Sequence, residues 1–360
     1  MGRDLLETRL QALVPDRVPG LAVMVVGPEG VRDVAAVGFA DIATQTEAAP
    51  QMVCPWFSMT KIVTATTAMR LAEKRVIDLD APVVDYVPLF GTMRPSSRAD
   101  HVTPRHLLSH SAGLSNPIPV RWVHAADRPA PDAGAFLETQ LAKHRKLRFD
   151  PGTRSSYSNL STLVLGAAIA AVAGKPFVEV VREEILDPLG MRQTGFAYTA
   201  EMEAYAAVGY HPYRSPMRVL LPRWVTGQRA GRWVSLERFL VDGAPYGGLV
   251  GSLDDAARFL RMHLRGGELD GVRIIGTDSA AEMREITIQG RRVDLGLGWF
   301  RPANQRRADP SFVEHLGGGA GFFNVIRIYP SREVGVAVMG NATKYDIDAV
   351  ARMAIASKHQ

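Results

Sequence analysis

The 360-residue chain contains a single cysteine, Cys54, so it cannot form an internal disulfide bond. It also offers no cysteine-rich metal site. With 46% apolar and 22% charged residues, its composition excludes a disordered tail, a collagen-like repeat and a disulfide-stabilised miniprotein. At roughly 150 residues per domain, the length predicts two domains or one large body with insertions.

The sequence also has no apolar run long enough to span a bilayer. The main apolar stretch, residues 160–174, is shorter than the roughly 20 residues that such a span requires, so it predicts a buried core helix. Near the N-terminus, charged residues alternate with leucines, which predicts an amphipathic helix and not a secretory signal. We therefore expect an intracellular, cytoplasmic protein with no membrane partner.

Positive charge is in modest excess, at a net +5. The basic residues are scattered, apart from the run at 143–148 and two arginine pairs at 291–292 and 306–307. Nucleic-acid binding would need a basic face with stacking aromatics or a known module, and neither is visible. We expect no nucleic-acid partner and interpret these residues as a solvated surface.

Several common catalytic motifs are missing as well. There is no Gly-x-Ser-x-Gly elbow, no His-Glu-x-x-His helix and no phosphate-binding Gly-x-x-x-x-Gly-Lys-Ser/Thr loop. His106 and His110 are four residues apart and could share a helical face as metal ligands. No third ligand is identifiable, so a structural pair is the preferred interpretation. We expect neither a metal nor another cofactor.

The distribution of apolar residues predicts an α+β architecture. Runs of β-branched residues predict strand pairs near both termini, at 21–26 with 31–40 and at 322–328 with 333–341. Helices are predicted at 58–74, 159–173, 177–186, from Ser252 onwards and at about 346–357. We expect one antiparallel sheet built from both chain ends and flanked by helices, with an inserted, mostly helical part.

This pattern suggests a division into two domains. We assign residues 1–75 and 245–360 to the sheet domain and residues 76–244 to the mostly helical domain. The segment at about 205–245 is rich in Arg, Pro, Tyr and Trp and lacks clear periodicity, so we predict a loop-rich insertion there.

Residues 58–61 form the only Ser-x-x-Lys sequence in the chain. On a helix, positions i and i+3 are neighbours, so the amine of Lys61 would lie beside the hydroxyl of Ser58. Burial and the helix N-terminus both disfavour an ammonium, which would lower the pKa of Lys61 and let it take the serine proton. The alternative is a helix cap, Ser58, followed by a surface lysine.

A second candidate element is Tyr157-Ser158-Asn159. Positive charge nearby would lower the pKa of a phenol, so Tyr157 could act as general base toward Ser58 and toward a hydrolytic water. The amide of Asn159 could bind a substrate carbonyl and the lysine. Alternatively, Asn159 is only the N-cap of the following helix.

A third element is His315-Leu316-Gly317, which enters the strand predicted from residue 322. Glycines let a backbone approach a substrate closely, so an N–H group here could join that of Ser58 in an oxyanion hole. The alternative is a glycine-rich hairpin turn. Four aromatic residues near the motifs could line an apolar acyl pocket or belong to the core: Trp56, Phe57, Phe322 and Phe323.

In this order and spacing, the three elements resemble the serine β-lactamase and penicillin-binding superfamily. The Tyr-x-Asn form of the second motif is similar to that of class C β-lactamases, D-alanyl-D-alanine peptidases and family VIII carboxylesterases. Supporting stretches cover most of the chain, at residues 102–114, 149–159, 185–196, 247–260 and 315–322. The resemblance implies a β-lactamase/transpeptidase-like fold.

The resemblance also implies roles for the motif residues. Ser58 would be the acylated nucleophile, and Lys61 and Tyr157 would handle protons as a coupled pair, either of them serving as the base. Asn159 would position the substrate. The remaining substrate-binding residues would be His315, Gly317 and Gly318, with the N–H groups of Ser58 and Gly318 forming the oxyanion hole.

The departures from the family pattern favour one activity. Class C β-lactamases carry a lysine that faces the drug carboxylate at the place of His315, which is mostly neutral at pH 7. Since no export signal is visible either, we expect a carboxylesterase that cleaves small, short-acyl esters through an acyl-Ser58 intermediate. A β-lactamase or D-amino-acid peptidase acting on an amide, an acyltransferase, and a sensor that acylates slowly or never remain alternatives.

Overall fold

The structure is a computed structural model that describes residues 2–356. Its helices are α1 Gly2–Gln11, α2 Thr60–Glu73, α3 Val83–Tyr86, α4 Ser96–Ala99, α5 Pro104–Leu108, α6 Ala133–Lys143, α7 Asn159–Ala173, α8 Phe177–Val181, α9 Ala200–Glu203, α10 Ala244–Gly247, α11 Leu253–Leu264, α12 Thr277–Arg284 and α13 Ile347–Ala356. Its strands are β1 Gly20–Gly27, β2 Gly30–Asp41, β3 Thr46–Glu47, β4 Val53–Pro55, β5 Val123–Ala125, β6 Thr194–Gly195, β7 Gly209–Pro212, β8 Thr226–Ala230, β9 Trp233–Leu236, β10 Phe239–Val241, β11 Val250–Ser252, β12 Glu268–Leu269, β13 Val272–Arg273, β14 Val293–Leu295, β15 Phe300–Pro302, β16 Val313–Gly319, β17 Phe322–Tyr329 and β18 Val334–Gly340.

The main sheet joins the two ends of the chain, as predicted. Its eight strands are antiparallel throughout and follow the order β14-β15-β16-β17-β18-β1-β2-β3. Strand β1 pairs with β18 from Leu21 opposite Gly340 to Val26 opposite Gly335. The sequence prediction of one sheet assembled from both termini is therefore confirmed.

Strand β1 is buried on both faces because helices cover the sheet from two sides. Side chains of a strand alternate between faces. Leu21, Val23 and Val25 share a core cluster with residues of α1 and α13, whereas Ala22, Met24 and Val26 belong to the cluster that contains α2, α7 and α11. The second cluster also surrounds the Ser-x-x-Lys segment, so the sheet and the inserted helices meet at that segment.

Most predicted helices are present, with two corrections at their ends. Helix α2 begins at Thr60, after a 3₁₀ turn over Phe57–Met59, and no side chain caps it, so Ser58 is not an N-cap. Helix α7 is capped by Ser158, whose Oγ accepts a hydrogen bond from Ser161 N, and not by Asn159. Helix α8 continues as a π-helix over Arg182–Leu186. The predicted C-terminal helix is α13, and residue 357 lies outside the described residues.

The segment at 205–245 contains more regular structure than the predicted loop-rich insertion. Strands β7, β9 and β8 form a three-stranded antiparallel sheet, and β10 pairs with β5. These strands are only three to five residues long, which is too short for alternation to be visible in the sequence. The division of the chain into two domains stays a prediction.

Helix α7 is buried over its first two-thirds, as expected for a core helix. Within residues 2–356, no single helix has both the length and the apolar character needed to cross a membrane. Helix α7 and the Phe177–Leu186 helix meet those criteria only as a pair, and the two are bent by 80° relative to each other.

Candidate active site

Ser58 lies in a strained turn between β4 and α2. The preceding residue, Phe57, has a φ of 46°, which is rare for a bulky side chain and costs on the order of 1–2 kcal/mol. Backbone anchors hold the turn in place: Trp56 N donates to Leu249 O at 2.7 Å, and Asn324 Nδ2 donates to Pro55 O at 2.8 Å. The turn leaves the side chain of Ser58 only partly buried.

Strand β16 packs directly against this turn at Gly317. A Cβ atom at residue 317 would lie 2.0 Å from the carbonyl oxygen of Trp56, so no larger residue fits without a shift of the backbone. The next residue, Gly318, lines the same cavity as Ser58. The glycines of the third motif thus belong to strand β16, while the hairpin turn itself falls at 320–321.

Lys61 is buried beside Ser58, with 3% of its surface exposed. Its Nζ donates to Ser58 Oγ at 3.0 Å and to the main-chain oxygen of Tyr246 at 2.7 Å. Burial holds the pKa of Lys61 well below its usual value. A neutral amine keeps a lone pair that can take the proton of Ser58. Because Lys61 is buried, the alternative of a surface lysine is wrong.

The carbonyl of Tyr246 reaches Lys61 because two threonines of α2 hold the α10 segment. Thr64 Oγ1 donates to Pro245 O at 2.7 Å, and Thr60 Oγ1 accepts a hydrogen bond from Leu249 N at 3.2 Å. Sequence reasoning missed Tyr246, since its contribution is a main-chain atom. The only available signal was the Pro245 between glycines at 243 and 247, which marks a turn.

The hydroxyl of Tyr157 interacts with the side chain of Ser58, but its pKa is not lowered as predicted. Burial raises the pKa of Tyr157 and outweighs the interaction with Ser58, which acts in the opposite direction. The Nζ of Lys61 lies 5.1 Å from the centre of the tyrosine ring. Burial also lowers the pKa of that amine, which reduces the positive charge available to stabilise a phenolate. Tyr157 is therefore a protonated phenol near neutral pH.

Residues 110–116 hold Tyr157 in place. The carbonyl of His110 accepts a hydrogen bond from Ser156 N at 2.9 Å, and its Nδ1 accepts one from Ser158 N at 3.3 Å. The ring of His110 lies 4.7 Å from that of Tyr157, centre to centre. Burial lowers the pKa of His110 to about 3, so it stays neutral. Sequence reasoning weighed His110 as a metal ligand against a structural histidine, preferred the structural interpretation, and did not connect it with Tyr157.

The two histidines at 106 and 110 do not form a shared metal site. His106 completes a capping box with Thr103 at the start of α5, whereas His110 follows the helix with a φ of 51°. Among residues 2–356 no group of three or more His, Cys, Asp or Glu residues is arranged to hold a metal. The structural interpretation of this pair agrees with their positions.

The other predicted site residues lie at different depths. Asn159 is buried and lines the cavity; its N–H donates to Asn116 Oδ1 at 3.0 Å. His315 is 1% exposed and lies behind Tyr157, with 6.1 Å between the ring centres, and its Nδ1 donates to Leu316 O at 2.8 Å. Burial and the neighbouring Lys61 lower the pKa of His315, so it carries no charge near neutral pH.

The fold thus gathers the predicted residues in two layers. Ser58, Asn159 and Gly318 line a cavity of about 310 Å³, and Lys61 and Tyr157 contact Ser58 from behind. His315 and Gly317 do not line the cavity: His315 packs against Tyr157, and Gly317 packs against the carbonyl of Trp56.

The walls of the cavity are mostly apolar. Of the aromatic residues expected there, Phe57 lines it, but Trp56 is fully buried and Phe323 packs against Tyr345. Phe322 is also buried and belongs to the core. The apolar walls come mainly from residues 119–123, from the segment 211–225 and from β10; they include Val120, Val123, Met217, Leu220, Leu221, Pro222, Val225, Phe239 and Val241.

Comparison with known proteins identifies relatives along the whole chain. The model of the family described as Beta-lactamase matches residues 6–360. The D-alanyl-D-alanine-carboxypeptidase/endopeptidase AmpH of Escherichia coli K12 is 25% identical over 296 residues, which cover 78% of this chain and 69% of AmpH. Esterase EstB of Burkholderia gladioli is 33% identical over 220 residues, which cover 56% of this chain and 55% of EstB.

Solved structures share the fold at lower identity. A penicillin-binding protein homologue from Pyrococcus abyssi, described as octameric, superposes with a TM-score of 0.79 at 24% identity, covering 98% of this chain and 76% of its own. EstCE1, described as a hydrolase with promiscuous acyltransferase activity, has a TM-score of 0.74 at 21% identity, covering 98% of this chain and 97% of EstCE1. A class C β-lactamase has a TM-score of 0.76 at 19% identity, covering 100% of this chain and 97% of the β-lactamase.

Proposed function

The chain belongs to the beta-lactamase family of serine hydrolases, and from this premise we propose that it is a carboxylesterase acting on small esters with an apolar acyl or alcohol group. The observation that carries the proposal is the apolar cavity onto which Ser58 opens. Among the described residues that line this cavity there is no Lys, Arg, Asp or Glu.

The lack of charged side chains in the cavity favours neutral substrates over anionic ones. β-Lactams and D-alanyl-D-alanine peptides carry a carboxylate, and burying a carboxylate without a cationic partner is costly. The basic side chains nearest this space are Lys61, which contacts Ser58, and His211, which lines the cavity, and burial lowers the pKa of both. A neutral ester needs no such partner. Similarity to the esterase EstB supports the same choice.

Acylation would begin with Lys61 as the general base. Its lone pair takes the proton of Ser58 Oγ, while the bond to the carbonyl of Tyr246 fixes the orientation of the amine. The serine oxygen attacks the ester carbon, and the N–H groups of Ser58 and Gly318 stabilise the oxyanion. Tyr157 donates its proton to the departing alkoxide, and the proton now on Lys61 restores the phenol.

Deacylation would repeat these steps with water. The amine of Lys61, neutral again, takes a proton from the attacking water, and Ser58 leaves as its alcohol after reprotonation. Asn159, at the cavity wall, is placed to hydrogen-bond the substrate. The raised pKa of Tyr157 favours the phenol as proton donor over the phenolate as base, so we assign the base to Lys61.

The proposal is tested by comparing kcat/KM for p-nitrophenyl acetate and butyrate with values for nitrocefin and for a D-Ala-D-Ala peptide. We expect the esters to be preferred, and butyrate to exceed acetate because its longer chain fills the apolar cavity. A higher kcat/KM for the peptide or for nitrocefin would show that the proposal is wrong. Adding an alcohol as acyl acceptor and analysing the products separates hydrolysis from acyl transfer.

A variant with a narrower cavity provides a control for this assay. Val241 lines the cavity, so Val241→Phe should lower kcat/KM for butyrate more than for acetate. Discrimination by one or two methylene groups is typically about 10- to 200-fold. An unchanged ratio of the two esters would mean that the acyl chain binds elsewhere.

A further inference from the structure

We propose that an apolar, cationic rim at the mouth of the cavity docks this protein onto anionic lipid surfaces. The apolar part of the rim consists of Ile118, Val120, Met217, Val219, Leu220 and Trp224. These are six of the eleven large hydrophobic side chains that are exposed in the described chain, and Ile118 and Val219 are each 82% exposed. Val120, Met217 and Leu220 also line the cavity, which places the rim at its opening.

The local backbone explains how one segment serves both the cavity and the surface. Residues Pro216–Leu220 form a 3₁₀ turn, in which side chains three apart point the same way. Met217 and Leu220 therefore both face the cavity, while Val219 points out into solvent. A second 3₁₀ turn, Arg223–Val225, continues this pattern: Val225 is buried in the cavity wall and Trp224 is exposed.

The segment that carries most of the rim is rich in arginine, and the acidic residue beside it is Glu237, whose N–H donates to Val225 O at 2.8 Å. Between Glu203 and Glu237 the chain has five arginines and no acidic residue. Arg121, Arg214, Arg218 and Arg223 flank the rim residues in sequence, and within residues 5–356 none of the four forms an ion pair with a carboxylate. Arg218 stacks on the ring of Tyr213, with its guanidinium carbon 4.8 Å from the ring centre.

These features together favour an anionic lipid surface as the binding partner. Contiguous exposed apolar surface marks an interaction site. Aliphatic side chains and a tryptophan, interleaved with arginines, are the composition that inserts into the headgroup region of an anionic bilayer. An ester dissolved in that bilayer would enter the cavity without crossing water. The entry of an ester from the bilayer rests on the proposed function, whereas docking itself does not. Docking differs from the expectation, drawn from the sequence, of no membrane partner.

Vesicle binding tests the proposal with the full chain. We expect co-sedimentation with vesicles of phosphatidylglycerol and phosphatidylcholine to be at least about tenfold stronger than with phosphatidylcholine alone, and to weaken at high salt. The other four tryptophans are buried, so a blue shift of the emission on binding reports on Trp224. Absence of binding to the anionic vesicles at low salt would overturn the proposal.

Two substitutions separate docking from catalysis. The double variant Ile118→Asp with Val219→Asp changes side chains that do not line the cavity. It should lose vesicle binding at least about tenfold and keep the wild-type turnover of p-nitrophenyl acetate. Val31→Asp, at a position 54% exposed on strand β2, is the matched control and should retain both properties.

The remaining outcomes decide between occupants. Equal vesicle binding by the double variant would overturn the proposal, and so would a dimer in solution that this variant abolishes, because a second copy would then cover the rim. Vesicle binding without ester turnover would refute the proposed function and leave docking standing. Ester turnover without vesicle binding would refute docking and leave the proposed function standing.

Discussion

The main-chain oxygen of Tyr246 accepts a 2.7 Å hydrogen bond from Lys61 Nζ, and the same nitrogen lies 3.0 Å from Ser58 Oγ. In the neutral amine the hydrogen bond to the carbonyl can be kept while the one with Ser58 reverses, so that the serine hydroxyl donates to the lone pair of Lys61. The relationship therefore gives the buried lysine a fixed orientation as well as a lowered pKa.

The activity should depend on pH through Lys61. Because the neutral amine is the active form, kcat/KM for an ester should fall as the pH decreases through the lowered pKa of Lys61. His110, with a pKa of about 3, and His315 stay neutral, so they add no inflection near pH 6.5. Lys61→Arg, which remains protonated, should reduce kcat/KM by about 10²- to 10⁴-fold at every pH. Near-wild-type activity in this variant would exclude Lys61 as the base.

The same lysine should affect stability with a definite sign. Its pKa is lower in the folded protein than in the unfolded chain, so between the two pKa values only the unfolded chain binds the proton. The free energy of unfolding should therefore rise with pH in this window, by up to about 1.4 kcal/mol per pH unit, and this contribution is lost as the pH falls toward the folded pKa.

Lys61→Met isolates that contribution. Urea unfolding of wild type and variant at pH 6 to 9 should show a difference in stability that grows in favour of the wild type as the pH increases. A difference that does not change with pH would mean that Lys61 is charged in the folded protein.

Tyr157 should contribute through its hydroxyl. Tyr157→Phe removes the group that contacts Ser58, and we expect kcat/KM to fall by about 10²- to 10⁴-fold. Tyr198→Phe is the matched control, because burial also raises the pKa of Tyr198 and this residue does not line the cavity. The kcat/KM of this variant should stay close to the wild-type value. If both variants were equally active, Tyr157 would not be the proton donor.

Gly317 and Gly318 should differ in their tolerance of alanine. At Gly317 a Cβ atom would meet the Trp56 carbonyl at 2.0 Å, whereas at Gly318 it would meet the edge of the Phe323 ring at 3.0 Å. Gly317→Ala should lower the free energy of unfolding by about 2–3 kcal/mol, as expected for overpacking against a backbone, and Gly318→Ala by less than about 1 kcal/mol. Equal losses in thermal or urea unfolding would show that β16 does not pack on the Trp56 carbonyl as described.

The sequence was sufficient for the parts of the site that depend on short spacing. The Ser58–Lys61 contact follows from helical periodicity, and the sheet follows from β-branched runs at both ends of the chain. The direction of the Lys61 pKa was also predictable, because a lysine on a core helix loses its water.

Features that depend on tertiary contact were not predictable. The raised pKa of Tyr157 reflects how deeply the phenol is buried, and the opposite direction was expected from charge alone. The carbonyl of Tyr246 and the ring of His110 come from segments far away in the sequence, and no spacing rule links them to Ser58. The cavity walls likewise come from short strands and 3₁₀ turns whose pattern is hidden in the sequence.

Whether Ser58 forms an acyl intermediate that water then cleaves can be seen by intact-mass spectrometry. The protein is mixed with p-nitrophenyl butyrate and quenched in acid at successive times, with Ser58→Ala treated in parallel. We predict one butyryl group on the intact protein, which disappears as substrate is exhausted, and no adduct on the variant. Digestion of the quenched protein should place the butyryl group on the peptide that contains Ser58. Full turnover by Ser58→Ala would exclude Ser58 as the nucleophile, and an adduct on Ser58 that never hydrolyses would exclude hydrolysis as the reaction.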